Sequence, residues 1–85
     1  MKKFNFKVQT SVGIHARNSL HLSKAAARFQ SQILIIKDEQ IEDAKNLMSV
    51  MTMRIKYADN VSFVIEGNDE EDAFKYLKEF CEKNL

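Results

Sequence analysis

The apolar residues of this chain keep switching between two spacings, and that switching limits the folds open to it. Phe4, Phe6 and Val8 alternate with Asn5 and Lys7, the two-residue period of a strand with one buried face. From Ala16 the spacing lengthens: Leu22, Ala25, Ala26 and Phe29 recur every three or four positions, and Ala25-Ala26-Ala27 has the highest helix propensity available. The first strand is therefore expected to end near Gln9, and the first helix to run from Ala16 to about Arg28. Ile33-Leu34-Ile35-Ile36 is a short branched run. Lys37-Asp38-Glu39-Gln40 follows as a hairpin turn into a weak strand near Ile41–Asp43. Leu47, Val50, Met51 and Arg54 return to helical spacing in a segment too short to be stable without packing. Val61, Phe63 and Ile65 alternate again, and Gly67-Asn68 makes the next turn.

The last helix is expected to be capped by Asn68 or Asp69. The acids Asp69, Glu70, Glu71 and Asp72 complement the positive end of its dipole, and Ala73, Leu77, Phe80 and Cys81 form its buried face. The order βαββαβα predicts an α/β (more strictly α+β) open-faced two-layer sandwich, a four-stranded antiparallel sheet with helices on one face. At 85 residues and 45% hydrophobic content the chain is expected to form one domain over residues 1–85, with a single modest core.

Neither Ile33–Ile36 nor Leu47–Met53 approaches the ~18 apolar residues of a membrane span, so no membrane insertion is expected and a cytoplasmic protein is. The single cysteine, Cys81, has no partner for an intramolecular disulfide and no neighbouring ligand for a metal, and reads as a small core residue. Neither metal nor cofactor is implied. His21 lies six residues after His15, which is not a helical ligand pair, and reads as solvent-exposed.

Charge is distributed unevenly. Met1 to Lys37 carries seven Lys or Arg and no acid, whereas all twelve acids follow Lys37 against six bases, giving about +7 and about −6. A basic face favours phosphate groups, nucleic acid or an acidic protein. Nucleic acid is the weakest of these, because aromatic residues are not interleaved with the bases.

The chemistry concentrates at Gly13-Ile14-His15-Ala16-Arg17-Asn18-Ser19, where a loop feeds the first helix. His15 falls at or beside the N-cap, so a phosphoryl group on it would meet amides without internal partners and a favourable dipole. Arg17 can add a charge-assisted contact, and Gly13 the backbone freedom for a close approach. Imidazole is a good nucleophile near neutral pH and leaves well once protonated, which suits a group that must be loaded and unloaded. On local chemistry alone, a lone histidine at a helix start is more often a capping or exposed residue.

Gly13-Ile14-His15-Ala16-Arg17 resembles the phosphorylation motif of the histidine-containing phosphocarrier (HPr) family, and Lys45-Asn46-Leu47-Met48-Ser49-Val50-Met51 resembles its second signature at the family's spacing. Phe29, Gly67, the acidic start of the last helix and the total length also align. The resemblance implies a cytoplasmic, usually monomeric carrier that receives phosphate on His15 from enzyme I and donates it to sugar-specific enzyme IIA domains. It further implies that Arg17 assists transfer, that the amides of Ala16 and Arg17 hold phosphate oxygens, and that Leu20, Lys24, Leu47, Met48, Met51 and Thr52 form the partner surface. The second class in play is an HPr-like regulatory module acting by docking with little phosphotransfer.

The chain also departs from the family's pattern. Val12 stands where serine or threonine is common, and Asn18 where proline is usual, at roughly 0.4–1 kcal/mol in unfolded-state entropy. Arg54 replaces a usual glycine, a strained position if positive φ is needed there. Asn46 occupies the place of a regulatory serine and cannot be phosphorylated.

Overall fold

A computed structural model describes the chain from Met1 to Leu85. Its elements are β1 (Lys2–Lys7), α1 (Ala16–Ala27), β2 (Gln32–Lys37), β3 (Gln40–Asp43), α2 (Leu47–Thr52), β4 (Asn60–Glu66) and α3 (Glu70–Asn84). The strands form one sheet in the order β1-β4-β2-β3, with every neighbouring pair antiparallel. This is the open-faced βαββαβα sandwich that the spacing predicts.

The two-residue period decides which face of the sheet is covered. Phe63 of β4 lies between Phe4 of β1 and Ile35 of β2, and its ring stacks on that of Phe4 at 5.0 Å. Ile33, Ile35, Val61, Phe63 and Ile65 are fully buried beneath the helices. Leu22, Ala25 and Ala26 of α1, Val50 of α2, and Ala73, Leu77 and Cys81 of α3 close the core from above. The unbroken run Ile33–Ile36 splits between faces: Leu34 and Ile36 stay partly exposed on the open side.

Several boundaries differ from the expected ones. β1 stops at Lys7 rather than near Gln9, since the Val8 amide donates to Asp59 O and the Gln9 and Thr10 amides donate to Leu85 O. Arg28 is the C-cap of α1 instead of its last residue. α2 ends at Thr52, with Arg54 beyond it at φ 50, and it is Met53 and Ile55, not Leu47 and Met51, that join Val50 in the core.

Asp69 occupies the N-cap of α3, but its carboxylate does not cap that helix. It accepts from the amides of Gln30 (2.8 Å) and Ser31 (2.9 Å) and from the Ser31 hydroxyl, tying the α1–β2 loop to the start of α3. These bonds hold its carboxyl below the usual carboxylate range.

Candidate functional site

The loop before α1 is held in place by short-range bonds and, besides the bonds of Gln9 and Thr10 to Leu85 O, a long-range bond at Ile14. The Gly13 amide donates to Thr10 O (3.0 Å), and the Thr10 hydroxyl donates to Gly13 O (2.9 Å). The Ile14 amide crosses to Ile55 O at 3.0 Å, and the Ile14 side chain is anchored in the core. Gly13 sits at φ 70, and a Cβ there would lie 2.6 Å from Ile55 O and 2.8 Å from Lys56 Cα. The position therefore requires glycine for both conformation and space.

His15 follows as the N-cap of α1, extended at φ −99 and ψ −173, with its carbonyl accepting the Ser19 amide at 2.9 Å. Its side chain is exposed, and Nδ1 accepts the Arg17 amide at 3.2 Å. That bond places the lone pair on Nδ1 and, in the neutral ring, the proton on Nε2. That nitrogen thus faces the amides at the positive end of a helix dipole. The Arg17 side chain is exposed and belongs to none of the ion pairs.

Asn18 does not leave the first turn of α1 loose. Its Nδ2 donates to Asn84 O at 3.2 Å, fastening the start of α1 to the end of α3. Val12 is 70% exposed and offers no hydrogen-bonding group to the site.

α1 and α2 pack side by side, which brings the residues expected at the partner surface onto one side of the molecule. Leu20, Lys24, Met48, Met51 and Thr52 are exposed, and Leu47 is half-buried. Met48 is the most open of the apolar members at 67% exposure. Asn46 has a defined structural role: its Oδ1 accepts the Ser49 amide at 3.1 Å, capping α2. Lys45 binds Phe29 O at 2.7 Å, joining α2 to the loop after α1.

Other candidates fall outside this site. His21 is exposed and borders a shallow groove with Lys24, Ala25, Arg28, Tyr76 and Phe80, and no group of His, Cys, Asp and Glu is arranged to hold a metal ion. Cys81 is buried, and desolvation, aided by the charge of Glu82, pushes its thiol up to about 12. Sequence reasoning missed Thr10 and Ile55, whose oxygens hold the loop; Gly13 was the only visible sign that another backbone passes close by. None of the surface cavities includes His15.

A family model described as the PTS HPr component phosphorylation site matches residues 2–83. The chain is 34% identical to the phosphocarrier protein HPr of Mycoplasma genitalium, over 99% of this chain and 97% of that one. It is similar to the crystal structure of an HPr from Thermoanaerobacter tengcongensis, with a TM-score of 0.93 and 32% identity over 99% of this chain and 94% of that one. An HPr dimer from the same organism is also similar, with a TM-score of 0.77 and 32% identity over 98% and 95% of the two chains, so a monomer does not follow from the likeness. With the motif residues gathered at one helix start and the match running nearly end to end, the chain belongs to the HPr family of the phosphotransferase system.

Proposed function

We propose that this chain is a cytoplasmic phosphocarrier that takes a phosphoryl group onto His15 from enzyme I and passes it to sugar-specific enzyme IIA components. The observation that carries this reading is the Nδ1 lone pair of an exposed histidine aimed at the N-terminal amides of α1. That nitrogen lies in no cavity, as suits a group loaded and unloaded by other proteins rather than by a bound small molecule.

Loading begins with Nδ1 attacking the phosphorus of the donor. A bond from Nδ1 to phosphorus forms as the bond from phosphorus to the donor atom breaks, and the departing donor group keeps that electron pair. The imidazole turns away from the Arg17 amide as Nδ1 attacks, which frees that amide to join that of Ala16 in binding phosphoryl oxygens. Arg17 stabilises the charge spread over those oxygens. Unloading reverses the roles: Nδ1 takes back its pair while the acceptor's nucleophile bonds phosphorus. Nε2 keeps its proton throughout, so the adduct stays a usable phosphoryl donor. Leu20, Lys24, Leu47, Met48, Met51 and Thr52 form the surface on which both partners dock, and the flexible methionines suit more than one of them.

The test is incubation with the cognate enzyme I and phosphoenolpyruvate. An acid-labile adduct with a phosphorus resonance of N-linked phosphohistidine is expected on the wild-type chain and none on His15→Ala. A wild-type chain that stays unmodified by an active cognate enzyme I would falsify the reading.

A further inference from the structure

The fold gathers cations that the linear sequence separates. Ala44 to Ala58 contains Lys45, Arg54 and Lys56 and no acid, and Met1 to Lys37 likewise contains no acid. α1 packs on α2, and Ile55 O holds the Ile14 amide, so these two acid-free segments meet around His15. Ile55 is buried between exposed Arg54 and Lys56, which turns both cations outward beside the loop that presents His15.

Arg54 is unusual among them. At φ 50 it occupies the left-handed region, which is unfavourable for a residue carrying a Cβ. Its guanidinium makes no ion pair or hydrogen bond; only its carbonyl is engaged, by Lys37 Nζ at 3.4 Å. Its amide donates to Met51 O at 3.3 Å, so it directly continues the exposed stretch that includes Met48, Met51 and Thr52. The left-handed angle is the usual C′ conformation that ends α2, with the Arg54 amide bonded back to Met51 O, but the outward guanidinium beside the His15 loop has no partner within the chain.

We propose that Arg54 is a specificity-determining residue of the docking face, its guanidinium engaging a carboxylate on an acidic partner protein beside His15. The inference rests on the phosphocarrier reading above. The planar fork of arginine binds a carboxylate through two parallel bonds, a geometry that lysine reproduces only as a point charge. Because Arg54 acts on the partner and not on the phosphoryl group, it governs encounter and complex lifetime rather than the chemical step.

The experiment measures steady-state phosphorylation of the full chain by the cognate enzyme I, with wild type, Arg54→Gly and Arg54→Lys compared. Glycine removes the charge and suits the positive φ, so an unchanged or raised unfolding midpoint shows that the variant is folded. For Arg54→Gly, the KM for the carrier is expected to rise about three- to tenfold with kcat within about twofold, and Arg54→Lys is expected to recover part of the loss. An unchanged KM overturns the inference. A loss confined to kcat does so too, by assigning Arg54 to the phosphoryl group, as does a lysine variant no better than glycine. A wild-type chain that takes no phosphoryl group overturns the phosphocarrier reading and this inference with it, whereas a phosphorylated chain whose KM ignores Arg54 overturns this inference alone.

Discussion

At Gly13 a conformational need and a steric one coincide, which gives that residue more influence over the site than its size suggests. A methyl group there would meet the Ile55 carbonyl and the Lys56 backbone at under 3 Å while the chain sits at φ 70. Gly13→Ala is expected to lower stability by about 2–3 kcal/mol, or roughly 10–20 °C in Tm for a chain of this size, and to slow phosphorylation of His15 by displacing the loop. Thermal unfolding followed by circular dichroism checks the first part, and a Tm within about 3 °C of wild type would show that the loop yields without strain. His15 itself was legible from the motif around it. Which of its nitrogens faces the helix was not, because that depends on a side-chain torsion and on the Arg17 amide 3.2 Å away.

Among the elements, the link between α2 and β4 does more than connect. Asp59 accepts from the Lys56 amide at 2.7 Å and pairs with Lys37 Nζ at 3.0 Å, and the same lysine reaches the carbonyls of Met53 and Arg54. The Lys56 amide first, and then Lys37, hold the Asp59 carboxyl below its ordinary value of 3.8. A carboxyl whose folded pKa is depressed contributes stability that is fully present above the unfolded pKa and is lost as pH falls through the folded pKa. The chain is therefore expected to lose urea resistance below about pH 4, and Asp59→Asn to flatten that loss while lowering stability at pH 7. Urea midpoints at pH 3, 5 and 7 for both chains check this, and parallel pH profiles would remove Asp59 from the account. α1, β4 and α3 were legible because long runs hold one spacing. The end of α2 was not, since Met53 and Ile55 reach the core only after the chain leaves the helix.

Across the whole molecule, charge separation by sequence becomes charge separation by surface. The acids lie in β3 and the β2–β3 turn, at Asp59 in the α2–β4 link, at the end of β4, and in α3 and its N-cap, while Met1–Lys37 and Ala44–Ala58, which carry and adjoin the His15 loop, contain only cations among their charged side chains. Docking on an acidic partner is accordingly expected to weaken with salt: between about 50 and 300 mM, the KM for the carrier rises several-fold while kcat changes little. Enzyme I kinetics over that range measure it, and a KM indifferent to salt would mean that the apolar residues Leu20, Met48 and Met51 dominate docking.

The sequence by itself determined the layer order and the buried face of each long element, because hydrophobic period acts over a few neighbouring residues, and it singled out His15 as the candidate through the motif around it. Tertiary structure alone decided where Asp69 directs its carboxylate, how Asn18 is fastened to Asn84, and that Arg54 and Lys56 flank the loop leading to His15. Each of these joins residues dozens of positions apart, and such contacts exist only once the sheet and helices have packed.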